Sequence, residues 1–127
     1  MKNKFLDLAK LAYEIADSKK AVDPVILNIK KLSALADYMV IATGESSPQI
    51  NAIIDTIYKT FRDEEGIDPT HRDGWHSDHW CVIDYGGLII HVMTPATRKL
   101  YALEKIWDEA VVVKVNNPKP KAKKITK

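Results

Sequence analysis

The strongest constraint on the fold is a pair of short apolar segments on either side of two glycines. Residues 80–84 (WCVID) and 88–93 (LIIHVM) flank Tyr85-Gly86-Gly87. Apolar segments of this length, separated by a short turn with glycine, predict an antiparallel β-hairpin. The glycines would provide the positive φ that a tight turn needs. The sequence therefore predicts a β-sheet that contains this hairpin.

Two stretches before the hairpin carry apolar residues at helical spacing. The first runs from Phe5 to Ser18, and the second lies between Ser47 and Gly66. Ser47 is suited to cap the second helix, Pro48 to occupy its first position and Gly66 to end it. The apolar stripe of the second helix consists of Ile50, Ile53, Ile54, Ile57, Tyr58 and Phe61.

A third helix is predicted after the hairpin, where Thr94 and Pro95 repeat the cap-and-proline signal. We expect it to end near Asp108 or Glu109. Its apolar side would be formed by Leu100, Leu103, Ile106 and Trp107.

Four further segments have the composition of β-strands. Residues 25–29 and 38–43 are rich in residues that favour β-strands. Residues 67–71 would form a short strand that Pro69 keeps at the edge of the sheet, and residues 111–113 would add a last short strand. Helices and strands in this order predict one α/β domain, a mixed sheet of about five strands flanked by helices.

The charge divides the chain into an acidic body and a basic end. The formal net charge is +2, but five of the 19 basic residues and none of the 17 acidic residues lie in residues 116–127. Residues 1–115 therefore form an acidic domain with a balance of −3, which favours a basic protein partner over nucleic acid. Residues 116–127 are predicted to be a disordered Lys/Pro-rich tail, with weak non-specific RNA contact as the alternative.

Other features concern the cellular compartment. The apolar runs are far shorter than the roughly 18 to 20 residues that cross a bilayer, and Asp7 interrupts any signal-peptide pattern. The single cysteine, Cys81, cannot form an internal disulfide. We therefore expect a cytoplasmic protein without a membrane segment.

Four blocks of sequence, in order and spread over most of the domain, carry a resemblance to a known family. They are DSKKAVD (17–23), ADYMVIATG (36–44), SSPQINAIID (46–55), and WCVIDYGGLIIHVM (80–93) continuing into RKLYALEKIW (98–107). With these blocks the chain resembles the ribosomal silencing factor (RsfS, Iojap-like) family, from about Ala9 to Asp108. Two departures are Asp73-Gly74, where the family often has Glu-Gly, and Gly86-Gly87, where it usually has Gly-Asp.

The resemblance implies a translation repressor that is not an enzyme and uses no cofactor. Family members bind the large ribosomal subunit through ribosomal protein L-fourteen and block joining of the small subunit when nutrients are scarce. The family fold is similar to nucleotidyltransferases, and its members are commonly homodimers. The same partner, and a homodimer, are thus the expectations for this chain.

The strand at 80–84 supplies the main candidates for contact with a ribosomal protein. Strand alternation places Trp80, Val82 and Asp84 on one face and Cys81 and Ile83 on the other. A tryptophan, an aliphatic residue and a carboxylate together suit a contact with a basic protein. For Trp80, the alternative is a core position. The full set of predicted contact residues is Trp75, His76, Trp80, Val82, Asp84, Tyr85, Arg98 and Tyr101.

Two candidates lie on the third helix. Arg98, Tyr101 and Glu104 are spaced to share one broad face of a continuous helix. For Glu104 we favour an ion pair within the helix, while contact and structural roles remain open for Arg98 and Tyr101. His91, among apolar neighbours, is predicted to be a hydrogen-bonded core histidine.

The segment HRDGWHSDHW (71–80) raises an enzymatic alternative, a metal-dependent hydrolase. Zinc needs three or four converging ligands, and here two histidines three residues apart lie in a glycine-containing loop without a cysteine pair or an HExxH motif. The family resemblance instead implies that this segment leads into the contact strand, which makes Trp75 and His76 candidates for the rim of a protein interface. A nucleotidyltransferase is disfavoured because no DxD motif occurs in the chain, and Cys81 has no identifiable base for nucleophilic catalysis.

Overall fold

The computed structural model describes residues 4–73 and 78–115. They form one α/β domain, and its elements in chain order are α1 (Lys4–Ser18), β1 (Val22–Asn28), β2 (Tyr38–Thr43), α2 (Ser47–Glu65), β3 (His71–Asp73), β4 (Trp80–Asp84), β5 (Leu88–Met93), α3 (Pro95–Tyr101), α4 (Leu103–Ile106) and β6 (Val111–Val113).

The strands form one mixed sheet in the order β3-β4-β5-β2-β1-β6. Strands β2 and β5 are parallel, and the other neighbours are antiparallel. The predicted mixed α/β sheet is confirmed, as is the hairpin of β4 and β5. The described residues hold six strands where about five were expected, because residues 111–113 do pair with β1.

The larger core lies between the sheet and the first two helices. Their apolar stripes are buried against alternate residues of the central strands, and the predicted stripe of α2 is confirmed by five buried members, Ile50, Ile53, Ile54, Ile57 and Phe61. The neighbouring residue Tyr58 is half-buried against the same cluster. Helices α1 and α2 therefore close one face of the sheet.

A smaller apolar cluster covers part of the opposite face. Its buried strand residues include Leu27, Met39, Ile41 and Met93, and residues from the α4 region pack against them. These covering residues are Leu103, Trp107 and Ala110. The α4 region thus shields the central strands, while β3 is exposed and the outward residues of β4 are half-buried.

The observed helix ends correct two predictions. Ser46, not Ser47, is the N-cap of α2, because its Oγ accepts the N–H of Gln49 at 3.2 Å. The third helix is not continuous: Ala102 has φ 47 and separates α3 from α4. The apolar side predicted for that helix is only partly buried, since Leu100 and Ile106 are 76% and 64% exposed.

Two strands have different bounds from those predicted. Strand β1 begins at Val22, with an irregular register before Val25, whereas the composition predicted residues 25–29. Strand β3 covers His71–Asp73 and not residues 67–71, because its partner residues on β4 lie between Val82 and Asp84.

The two glycines of the hairpin turn have different roles. Gly86 has φ 89, as the turn chemistry predicted. Gly87 does not have positive φ. Its hydrogen instead makes room for Phe5 of α1, since a Cβ at this position would lie 2.3 Å from the phenyl ring. The prediction of positive φ is therefore wrong for Gly87, which is needed for the close approach of a helix.

Within residues 4–73 and 78–115, no helix is both long enough and apolar enough to cross a membrane.

Candidate functional site

The half of the sheet that α4 leaves uncovered carries the candidate site. Along β4, Cys81 and Ile83 are fully buried beneath the helices, while Trp80, Val82 and Asp84 are half-buried on the other face. The predicted alternation of this strand is confirmed. We call the set formed by Trp80, Val82, Asp84 and Tyr101 the Trp80 surface.

The edge strand β3 extends this surface with polar residues. His71 is paired with Asp84 across the antiparallel ladder, and Asp73 is paired with Val82. Both β3 residues are exposed. Directly paired residues point to the same side of a sheet. The aliphatic side chain of Val82 is therefore bordered by the polar and acidic side chains of His71, Asp73 and Asp84.

Trp80 is held in place from two sides. Its indole Nε1 donates a 3.1 Å hydrogen bond to Nδ1 of His91, and its ring centroid lies 4.7 Å from that of Tyr101. One part of the side chain packs against the smaller apolar cluster, so Trp80 is half-buried. It is neither a fully buried core tryptophan nor a freely moving surface one.

His91 is the hydrogen-bonded core histidine that the sequence predicted. It is 9% exposed, and burial lowers its pKa to about 4. The imidazole is therefore neutral near pH 7. Because Nδ1 accepts the indole hydrogen, the ring proton is assigned to Nε2.

Asp84 has a structural role in addition to its place on the surface. Its Oδ1 accepts the N–H of Gly86 at 2.7 Å, which stabilises the hairpin turn. Its main-chain oxygen accepts hydrogen bonds from the N–H and the hydroxyl of Thr70, at 2.7 and 2.9 Å. The carboxylate therefore stands at a fixed position at the edge of the Trp80 surface.

Tyr85 does not lie with the other predicted contact residues. It is 5% exposed, belongs to the core beneath α1 and α2, and lies 4.9 Å from Phe61 between ring centroids. Burial raises the pKa of its phenol well above the usual value of 10.0. The alternation of β4, extended by one residue, places Tyr85 on the same side of the sheet as Cys81 and Ile83. The sequence pattern alone could therefore have predicted that Tyr85 is buried.

Arg98 and Tyr101 have separate environments. Tyr101 is 50% exposed beside Trp80. The Arg98 side chain is 12% exposed, and its Nη2 lies 2.6 Å from Oε2 of Glu104. The predicted pairing of Glu104 is therefore observed, but it joins two helices across the break at Ala102 instead of lying within one.

One partner of Arg98 was missed by the sequence reasoning. Arg98 Nη1 donates to Oγ1 of Thr43, the last residue of β2, at 2.8 Å. No local pattern indicates this contact, because it depends on the adjacency of β2 and β5.

Two predicted contact residues, Trp75 and His76, lie outside the described residues. The same is true of four of the ten residues (74–77) of the histidine-rich segment that raised the metal hypothesis. Among residues 4–73 and 78–115, no group of three or more His, Cys, Asp or Glu side chains could hold a metal ion.

Comparison with known proteins places this arrangement in a family. The family model described as "Ribosomal silencing factor during starvation" matches residues 2–127. The chain belongs to the ribosomal silencing factor family. It is 36% identical over 109 residues to the ribosomal silencing factor RsfS of Halalkalibacterium halodurans, covering 86% of this chain and 92% of that protein.

Two further relatives extend the comparison. A crystal structure of a protein from Chromobacterium violaceum has a TM-score of 0.78 and 31% identity, covering 94% of this chain and 98% of that one. The mouse protein named "Mitochondrial assembly of ribosomal large subunit protein 1" is 31% identical over 91 residues, which is 70% of this chain and 40% of that protein. The fold and the silencing-factor resemblance predicted from sequence are thereby confirmed.

Proposed function

We propose that this silencing factor binds the large ribosomal subunit through the Trp80 surface and prevents the small subunit from joining. The observation that carries the proposal is the fixed, half-buried Trp80, held by His91 and Tyr101 on the uncovered half of the sheet. The partner would be ribosomal protein L-fourteen, as the family resemblance implies. The protein would act in the cytoplasm, where ribosomes translate.

The chemistry of the surface suits a protein partner. Binding energy at protein interfaces is concentrated in a few residues, among which tryptophan, tyrosine and arginine are the most frequent. Trp80 and Tyr101 present rings that neighbouring groups already orient, which reduces the conformational entropy lost on binding. Asp84 and Asp73 add negative charge at the border, so a basic partner surface is favoured.

The names of the relatives support the choice of ribosomal particle. The mouse relative is named for assembly of the large ribosomal subunit, and the matching family model is described by ribosomal silencing. The acidic balance of residues 1–115 is also better suited to a basic ribosomal protein than to ribosomal RNA.

Two further expectations belong to the same proposal. We propose a homodimer, which light scattering on the purified protein would test as a solution mass twice that of the 14.3 kDa chain. We also propose that repression proceeds by binding alone, without a catalytic step, so that large subunits recovered from the complex would join small subunits normally.

Co-sedimentation with purified large subunits, followed by addition of small subunits, tests the main proposal. The wild type should bind and prevent joining, and Trp80→Ala should bind at least about 30-fold more weakly, which corresponds to roughly 2 kcal/mol. Val111→Ala is a matched control, because Val111 is 67% exposed on the opposite edge strand. Equal binding by Trp80→Ala and wild type, with both folded, would refute the role of this surface.

A further inference from the structure

The break between α3 and α4 occurs without glycine or proline. Ala102 has φ 47 and ψ 51, and its N–H donates to the carbonyl of Arg98 at 2.8 Å. A left-handed conformation is unfavourable for a residue with a Cβ, because the Cβ comes too close to the following carbonyl oxygen. Contacts elsewhere must therefore hold the chain in this shape.

The Arg98 side chain supplies such contacts on both sides of the break. Its Nε donates to both carboxylate oxygens of Glu104 at 3.3 and 3.2 Å, and its Nη2 donates to Oε2 at 2.6 Å. A forked contact of this kind fixes orientation as well as distance. Residue 98 of α3 is thus tied directly to residue 104 of α4.

The same guanidinium also ties α3 to the sheet. Its Nη1 donates to Oγ1 of Thr43 at 2.8 Å and to the carbonyl of Val22 at 3.3 Å. Thr43 is 2% exposed at the end of β2, and Val22 begins β1. Each donor nitrogen of Arg98 is therefore engaged inside the domain, which is unlike an arginine that contacts a partner.

Tyr101 is the residue immediately before the break, and its position follows from the geometry of the turn. Its ring lies 4.7 Å from the ring of Trp80 between centroids, with an interplanar angle of 48°. His91 fixes the indole nitrogen of Trp80, and Tyr101 contacts the ring of the same indole. A change in the turn would move Tyr101 and release one side of Trp80.

We propose that the Arg98–Glu104 pair is a positioning device that sets Tyr101 against Trp80, rather than part of the surface that meets the ribosome. The inference rests on the proposed function, because positioning matters only if Trp80 is the contact. The three residues then have different roles. Arg98 holds the turn, Tyr101 supports the indole of Trp80, and Trp80 contacts the partner.

The first test uses the free protein and does not depend on the ribosome. The indole N–H signal of Trp80 in a ¹H–¹⁵N spectrum, assigned by its absence from Trp80→Phe, reports both the His91 bond and the neighbouring Tyr101 ring. In Arg98→Ala and in the milder Glu104→Gln, this signal should shift and its hydrogen should exchange faster. Lys99→Ala is the matched control, since it removes a positive charge from the exposed neighbouring position of α3.

An unchanged Trp80 signal in folded Arg98→Ala and Glu104→Gln would overturn the proposal. If Arg98→Ala does not fold, the decision rests on Glu104→Gln, which keeps an oxygen acceptor and the size of the side chain. A shift confined to the signals of other tryptophans would also count against it.

The second test measures affinity for large subunits. Arg98→Ala and Glu104→Ala should each weaken binding by roughly 2- to 30-fold. The double variant should bind at least as tightly as the single variant with the lower affinity, because the two residues act as one unit. A loss with Arg98→Ala alone, without a loss with Glu104→Ala, would overturn the positioning role of the pair. If the wild type does not bind large subunits, the proposed function fails, while the spectra of the free protein still decide whether the pair positions Trp80.

Discussion

The indole of Trp80 on β4 donates its hydrogen to Nδ1 of His91 on β5, and His91 is 9% exposed. A residue proposed for contact with the ribosome is thereby joined to a buried neutral imidazole. The bond holds only while Nδ1 is unprotonated, so the position of Trp80 and the stability of the fold are linked to the protonation of His91.

Acid should weaken the fold through His91. Burial lowers the pKa of His91 from 6.5 to about 4 in the folded protein, so the unfolded chain binds more protons between these values. The stabilising contribution is fully present above pH 6.5 and is lost as the pH falls toward 4. At pH 5 the loss relative to pH 8 should be about 2 kcal/mol.

Urea unfolding of wild type and His91→Gln at several pH values measures this contribution. The difference between their free energies of unfolding should shrink as the pH falls from 8 to 5, because glutamine does not titrate. His79→Gln, at an exposed position, is the matched control and should follow the wild type. Parallel pH profiles for wild type and His91→Gln would show that His91 does not carry the effect.

The Tyr85 hydroxyl offers a test of its core position. Within the described residues its buried Oη has no hydrogen-bond partner. Removing an unpaired buried hydroxyl should be neutral or stabilising, so Tyr85→Phe should change the free energy of unfolding by about 0 to +1 kcal/mol. Its affinity for large subunits should equal that of the wild type. Weaker ribosome binding by a folded Tyr85→Phe would restore Tyr85 as a contact residue.

Gly87→Ala should destabilise the protein through Phe5. The added methyl group would lie 2.3 Å from the phenyl ring, so the hairpin turn or α1 must shift. We expect a loss of about 1–3 kcal/mol in thermal or urea unfolding. In a Phe5→Ala background the same substitution should cost much less, and an equal cost in both backgrounds would mean that the ring is not the cause.

Binding to the large subunit should depend on salt. If the carboxylates at the border of the Trp80 surface face a basic protein, raising the salt concentration from 0.1 to 0.5 M should weaken the affinity several-fold. Asp84→Asn keeps an oxygen acceptor for the turn but removes the charge, so it should bind more weakly at low salt and show a smaller salt dependence. Affinity that does not change with salt would argue against charge complementarity.

Deletion of residues 116–127 should leave function nearly intact. These residues carry five lysines and lie outside the described part of the structure. The truncated protein should keep its melting temperature and should still block subunit joining. If blocking is lost while the domain stays folded, the lysines contribute to ribosome binding through RNA phosphates.

Extending the alternation of β4 would have predicted the position of Tyr85, but two other features could not be predicted locally. The segment RKLYALEK has no helix breaker, so its sequence favours a continuous helix. The break at Ala102 is stabilised by contacts of Arg98 with Glu104 and Thr43, one of which is 55 positions away. The contact of His91 with Trp80 likewise depends on the register between β4 and β5.

The sequence by itself determined the α/β class, the two long helices, the hairpin, the outward side of β4 and the family, because these depend on periodicity, turn chemistry and consecutive motifs. Only the tertiary structure decided that Arg98 points into the domain, that Gly87 makes room for Phe5 and that Trp80 is held by His91 and Tyr101. Each of these depends on which strands and helices become neighbours. Local pattern does not specify that adjacency, because it arises when the whole chain packs.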